Sequence, residues 1–179
     1  MPQYLAFLRA INVGGHTVKM DQLRRMFETL GFANVETFIA SGNVIFASPS
    51  KSAKALEQKI EKHLHESLGY EVATFIRTTA ELAEIEQYGP FSATELNDKG
   101  NKLYLAFTAD PPSAAAKQKL LASATETDEF HIHGREIYWL CRKQCHESKF
   151  SGAMLEKILG MPATVRNATT VRKMAAKYA

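Results

Sequence analysis

The sequence predicts an α+β protein made of two ferredoxin-like βαββαβ halves in tandem, followed by a C-terminal helix. Three observations predict it. Short β-branched or aromatic runs alternate with longer stretches whose apolar residues recur at helical spacing. In the first half these elements follow the strand-helix-strand-strand-helix-strand order of the split βαβ unit. The same order then returns in the second half, read by pattern rather than by residue identity. A chain of 179 residues is long enough to fold around a sizeable core without disulfide or metal staples.

The first half is assigned to residues 1–88. Tyr4-Leu5-Ala6-Phe7-Leu8 is a short apolar run and reads as a buried strand. A glycine-bearing loop, Ile11 to His16, leads to Met20, Leu23, Met26, Phe27 and Leu30 at helical spacing, with Gly31 placed to cap the helix. Val35 to Ile39 and Val44-Ile45-Phe46 flank Ser41-Gly42-Asn43, which reads as the tight turn of a hairpin. Leu56, Ile60, Leu64 and Leu68 mark a second amphipathic helix that Gly69 closes. Val72 to Arg77 supplies the fourth strand. Thr78-Thr79-Ala80-Glu81 is a capping box opening a short connecting helix, which Gly89-Pro90 ends.

Residues 89–101 read as a connecting loop, because Ser92 to Asn101 is polar throughout. The second half, 102–179, starts with a strand at Lys102 to Thr108. Pro111-Pro112 opens an alanine-rich helix, with proline at its first position. Glu129 to Ile132 and Glu136 to Cys141 are strands around a His133-Gly134-Arg135 turn. On the second of them Tyr138 and Trp139 alternate, so one is expected in the core and the other outside. Met154, Leu155, Ile158 and Leu159 mark a helix ended by Gly160, Ala163 to Val165 a last strand, and Val171, Met174, Ala175 and Tyr178 the final helix.

Composition narrows the function classes. The apolar and charged fractions are those of a globular protein, and no run approaches the length of a membrane span. Met1 to Arg9 lacks the layout of a secretory signal, so a cytoplasmic location is expected. Two cysteines, Cys141 and Cys145, suit a reducing compartment better than a disulfide scaffold. The net charge of +3 is unevenly spread: Arg135 to Ala179 holds nine Lys/Arg against three Asp/Glu. A basic end favours an anionic partner, although a solvated basic surface has the same composition.

Several motifs in order resemble one family. They are Phe7-Leu8-Arg9-Ala10-Ile11-Asn12-Val13-Gly14-Gly15, Ser41-Gly42-Asn43-Val44-Ile45-Phe46, Gly134-Arg135-Glu136-Ile137-Tyr138, Ser148-Lys149-Phe150, and Leu159 through Asn167. Together they resemble the bacterial domain-of-unknown-function family numbered 1697 across essentially the whole chain. The resemblance implies a small cytoplasmic α/β protein and supplies no reaction. The family places an aromatic residue after the closing Arg-Asn. Here that position is Ala168, which removes any stacking role there.

The residues themselves point to an anion. Ser148-Lys149 and Arg166-Asn167, with Thr170 beyond, read as the starts of two short helices. Capping explains the serine and the asparagine. It does not explain Lys149 or Arg166, because a positive side chain at a helix start opposes the dipole unless an acid or an anionic ligand balances it. Asn12, Gly14 and Gly15 form a strand-to-helix turn whose backbone can approach a ligand, and a plain tight turn accounts for the glycines equally well. The Gly-Lys-Ser/Thr ending of a P-loop is absent. Arg9 ends an apolar strand, as a structural ion pair or as the wall of a pocket. Ser41 and Asn43 present polar groups beside the first loop.

The expected site therefore comprises Arg9, Asn12, Gly14, Gly15, Ser41, Asn43, Ser148, Lys149, Arg166, Asn167 and Thr170. Its expected occupant is a phosphate-bearing or other anionic small molecule, in a cleft formed by both halves. The alternatives are nucleic-acid binding through the basic C-terminal region, and a hydrolase or transferase acting on phosphorylated substrates. No nucleophile elbow or paired carboxylates mark catalytic residues. No metal or cofactor is assigned, because His131, His133, Cys141, Cys145 and His146 do not match a zinc spacing.

Overall fold

The computed structural model describes residues 1–12, 15–39, 42–142 and 150–179. The chain divides into two compact units, Met1–Leu82 and Ala83–Ala179.

The first unit contains β1 (Gln3–Leu8), α1 (Met20–Thr29), β2 (Ala33–Thr37), β3 (Asn43–Ala47), α2 (Ala53–Leu68) and β4 (Thr74–Thr78). Its sheet has the order β2-β3-β1-β4, antiparallel throughout, so that β3 is inserted between β1 and β2. This is the split arrangement expected of a βαββαβ half. Local chemistry sets the elements. Leu23, Met26 and Phe27 bury one stripe of α1, and Leu56, Ile60 and Leu64 one stripe of α2. Gly31 (φ +88°) and Gly69 (φ +81°) end the two helices in the left-handed region. These stripes pack with Tyr4, Ala6, Leu8, Val44, Phe46 and Ile76 in one core. Phe46 lies at its centre, 4.4 Å from Phe32 and 5.7 Å from Phe27 between ring centroids. Leu5, Phe7, Ile45, Phe75 and Arg77, on the opposite face, are buried too.

The connecting helix, α3 (Thr79–Gln87), starts at the predicted capping box. Thr78 N–H donates to Glu81 Oε2 at 2.7 Å, and Glu81 N–H donates to Thr78 Oγ1 at 3.1 Å.

The second unit contains α4 (Ala93–Asn97), β5 (Lys102–Phe107), α5 (Ala114–Ala122), β6 (Asp128–His133), β7 (Glu136–Cys141), α6 (Gly152–Leu159), β8 (Thr164–Asn167) and α7 (Ala168–Tyr178). Its sheet order, β6-β7-β5-β8, reproduces that of the first unit. Leu120, Phe130, Ile137, Trp139, Leu155 and Leu159 form its helix-side core.

The two halves share one tetrapeptide and a common register as well as the pattern. Tyr4-Leu5-Ala6-Phe7 recurs as Tyr104-Leu105-Ala106-Phe107. Leu5 pairs with Ile45 and Arg77, while Leu105 pairs with Tyr138 and Arg166. The amide of Leu8 donates to Gly42 O at 2.8 Å, and that of Thr108 to Arg135 O at 3.1 Å.

Several expectations are corrected. Residues 93–97 form a helix inside the predicted loop, because Ser92 and Glu95 make a reciprocal capping box. Pro111 and Pro112 precede α5 instead of opening it, since Ser113 is the N-cap and accepts from Ala116 N–H. Tyr138 and Trp139 are both buried. The Trp139 indole donates to Asp128 at 2.8 Å on the helix side. On the other side Tyr138 Oη donates to Ile85 O at 2.9 Å, so the end of α3 covers the second sheet face. Cys141 is buried and disulfide-bonded, not a free thiol. Among the described residues no helix is long and apolar enough to cross a membrane.

Candidate functional site

The expected site residues fall into one group in each unit. Gly14, Ser41, Ser148 and Lys149 lie outside the described residues.

In the first unit the group surrounds the end of β1. Arg9, half-buried, donates its amide to Ala73 O at 2.9 Å. Asn12 is exposed, and its Oδ1 accepts Val18 N–H at 2.6 Å, closing the loop over itself. Gly15 is exposed with φ +84° and open space where a Cβ would stand. Tyr70 stacks on His16 at 3.8 Å and donates its hydroxyl to Ile11 O at 3.0 Å, which ties this loop to the turn that ends α2. Burial pushes the Tyr70 hydroxyl above its usual pKa.

Asn43 differs from its expected place in a turn. It is the first residue of β3, fully buried, and pairs with Phe7. Its side-chain amide donates to Phe38 O at 2.9 Å, and its carbonyl accepts Phe38 N–H at 2.9 Å. The connection between β2 and β3 is therefore wider than a two-residue turn, with the asparagine latching its base. Two residues around these loops, Ala10 (φ 56°) and Ile39 (φ 57°), hold left-handed backbone without being glycine. For a β-branched residue that conformation is strained, and such strain concentrates at functional sites.

In the second unit the group lies at the junction of β8 and α7. Arg166 is not at a helix start. It lies within β8, only 7% exposed, and donates to Thr164 Oγ1 at 2.6 Å and Val165 O at 3.1 Å. Burial alone pushes its guanidinium down to about 10. Asn167 caps α7 by accepting Thr169 N–H at 2.9 Å. Thr170 stands at the third helical position, where no intrahelical acceptor exists for its N–H. A cavity of about 150 Å³ opens beside this start, lined in part by Asn101, Lys102, Asn167, Thr169 and Arg172. Arg172 reaches Glu86 at 3.4 Å while remaining largely exposed.

Sequence reasoning missed Lys102, Asn101 and Arg172, which the pairing of β5 with β8 and the packing of α7 bring to Asn167. It also missed Arg77, fully buried, which donates to Ile76 O at 2.9 Å as Arg166 does to Val165 O. The repeated Tyr-Leu-Ala-Phe tetrapeptide was the signal that could have pointed to this pair, since each arginine opposes the leucine of its own copy.

Of the histidines weighed for a metal, His146 lies outside the described residues, and the other two have aromatic neighbours. His133 stacks on Tyr88 at 4.1 Å, and His131 meets the Phe91 ring edge-on at 4.9 Å. Among the described residues no group of three or more His, Cys, Asp or Glu side chains could hold a metal ion.

The model of the family described as "Protein of unknown function (DUF1697)" matches residues 1–138. The chain belongs to the DUF1697 family. No curated protein matches it. Among solved structures, a conserved bacterial protein from Streptococcus pneumoniae, SP0830, shares the fold at a TM-score of 0.76. It is 24% identical, and the match covers 99% of this chain and 98% of that one. For DUF1697 this likeness concerns architecture, namely the pair of four-stranded antiparallel sheets with their helices.

Proposed function

We propose that this DUF1697 protein binds a phosphate-bearing or other anionic small molecule, with the cavity at the start of α7 as the described part of the site. The observation that carries the reading is the company kept by that helix start. First-turn N–H groups, the positive end of the dipole and two cationic side chains, Lys102 and Arg172, border one cavity together with the amides of Asn101 and Asn167. A lysine supplies a point charge, and an arginine offers a planar fork suited to two anion oxygens. Buried Arg166 adds positive potential from the strand that feeds the helix. Arg9, Asn12 and Gly15, in the other unit, form a second polar locus to be tested separately.

Inorganic phosphate and sulfate are the probes. A ligand at 100 times its Kd raises stability by about 2.7 kcal/mol, which a thermal-unfolding scan resolves. Arg172→Ala and Lys102→Ala each remove part of that protection, without the folding cost that truncating buried Arg166 carries. Absence of any shift in the wild-type protein at high phosphate overturns the reading.

The nucleic-acid reading draws on one observation: Arg172 and Lys173 are exposed on α7. It predicts single-strand or duplex binding that weakens steeply with salt. The hydrolase or transferase reading needs turnover of a phosphorylated substrate, and loss of turnover in a folded Arg9→Ala variant tests it.

A further inference from the structure

The outer edge of β4 carries a row of carboxylates whose positions follow the strand's own repeat. Among the described residues β4 pairs only with β1, so its other side is a sheet edge. Alternate residues point their N–H groups inward and outward along such a strand. Arg9 N–H donates to Ala73 O, which sets Ala73, Phe75 and Arg77 as the inward set. Thr74, Ile76 and Thr78 are then the outward set, and each meets a glutamate. Ile76 N–H donates to Glu57 Oε1 at 3.0 Å. Thr78 N–H donates to Glu81 Oε2 at 2.7 Å. Glu61 is hydrogen-bonded to the backbone of Thr74.

Glu57 and Glu61 stand one helical turn apart on α2, and Glu81 opens α3. Two helices therefore supply acceptors at the spacing of every second strand residue. An ionised carboxylate only accepts hydrogen bonds. It occupies the donors that an incoming strand would use. The second unit has a shorter version: Ala163 N–H, just before β8, donates to Glu156 Oε2 of α6 at 3.2 Å.

We infer that Glu57, Glu61 and Glu81 form a guard that closes the β4 edge against strand addition, the strand of a second copy of this chain being the intruder they exclude. Free sheet edges are templates for such pairing, and covering an edge from a neighbouring helix is a recognised way to block them. Satisfying two outward amides from one helix also locks the register of α2 over β4.

The test is a Glu61→Ala/Glu81→Ala variant of the full chain, since both residues are half-buried and their loss spares the core. Amide hydrogen exchange and light scattering over a concentration series are the readouts. The expected result is exchange at Thr74 and Thr78 at least about tenfold faster, with Ile76 unchanged, together with self-association that grows with concentration. The Glu61→Gln/Glu81→Gln variant keeps the acceptors and is expected to match the wild type in both readouts. Faster exchange with no self-association overturns the inference, because the glutamates are then a local brace. Equal self-association of the Ala and Gln variants also overturns it, because keeping the hydrogen-bond acceptors would then give no protection. Unchanged exchange at both amides removes its basis.

Discussion

At Gly42 two constraints coincide. Its φ is +80°, and a Cβ there would meet Ile11 Cγ2 at 3.0 Å and Leu8 Cβ at 3.1 Å. Gly42→Ala combines left-handed strain with crowding, an expected loss of about 2–4 kcal/mol. Gly134 has φ +62° but open space around it, so Gly134→Ala carries only the strain, about 1 kcal/mol. Urea unfolding of the two variants checks the difference. Glu61 behaves in the opposite sense. Burial first, and the Glu57 charge second, raise its carboxyl above the ordinary value. Its ionised form therefore costs stability. That stability is fully present below the ordinary carboxylate pKa and is lost as pH rises through the raised value. Glu61→Gln is expected to be more stable than wild type at neutral pH, with the advantage shrinking on acidification. A variant less stable at pH 7 contradicts the assignment. Asp128 and Trp139 are both buried and bonded to each other. Asp128→Ala strands the indole N–H, an expected cost of about 1–3 kcal/mol.

Elements in this protein are bounded by local chemistry. Ser52, Ser92, Ser113, Ser151 and Asn167 each accept a first-turn N–H, and glycines follow α1, α2 and α6. Asn167→Ala is expected to cost about 1 kcal/mol through the lost cap of α7, with or without phosphate. That separates capping from ligand binding: the apparent loss in an unliganded thermal scan belongs to the cap, and only the change in phosphate-induced shift belongs to the site. The capping signals at Thr78–Glu81 and around α2 were legible because they involve residues three or four apart. The one at Ser92–Glu95 has the same form, yet the polar composition of Ser92 to Asn101 made the segment read as a loop. Composition is weaker evidence than a reciprocal cap, and Arg142, bonded to Glu95 at 2.8 Å, adds support from far along the chain.

For the whole molecule, charge is the property that sequence makes plainest. Its basic excess lies in the last quarter of the chain, where α7 presents Arg172 and Lys173 to solvent. Protection by phosphate is therefore expected to fall as sodium chloride rises toward 1 M, where the Debye length is about 3 Å. Salt-independent protection points to a fully buried site instead. The repeated register of the two sheets extends this view. Leu5 with Arg77 and Leu105 with Arg166 are the same pairing made twice, so a β-strand arginine is a property of each half and not an isolated feature.

Sequence alone determined the βαββαβ order of both halves, most helix ends and the family, because periodicity, caps and motif order are short-range properties. It placed Arg166 and Asn167 next to each other but could not separate their surroundings. Tertiary structure made one a buried strand residue and the other an exposed cap. It buried Tyr138 and Trp139 on opposite faces of one strand, moved Asn43 from a turn into a sheet, and brought Lys102 and Arg172 to the same cavity. It also set three glutamates against alternate amides of β4. Each of these depends on which surface covers a residue, and that is decided by partners distant in sequence, where no local pattern reaches.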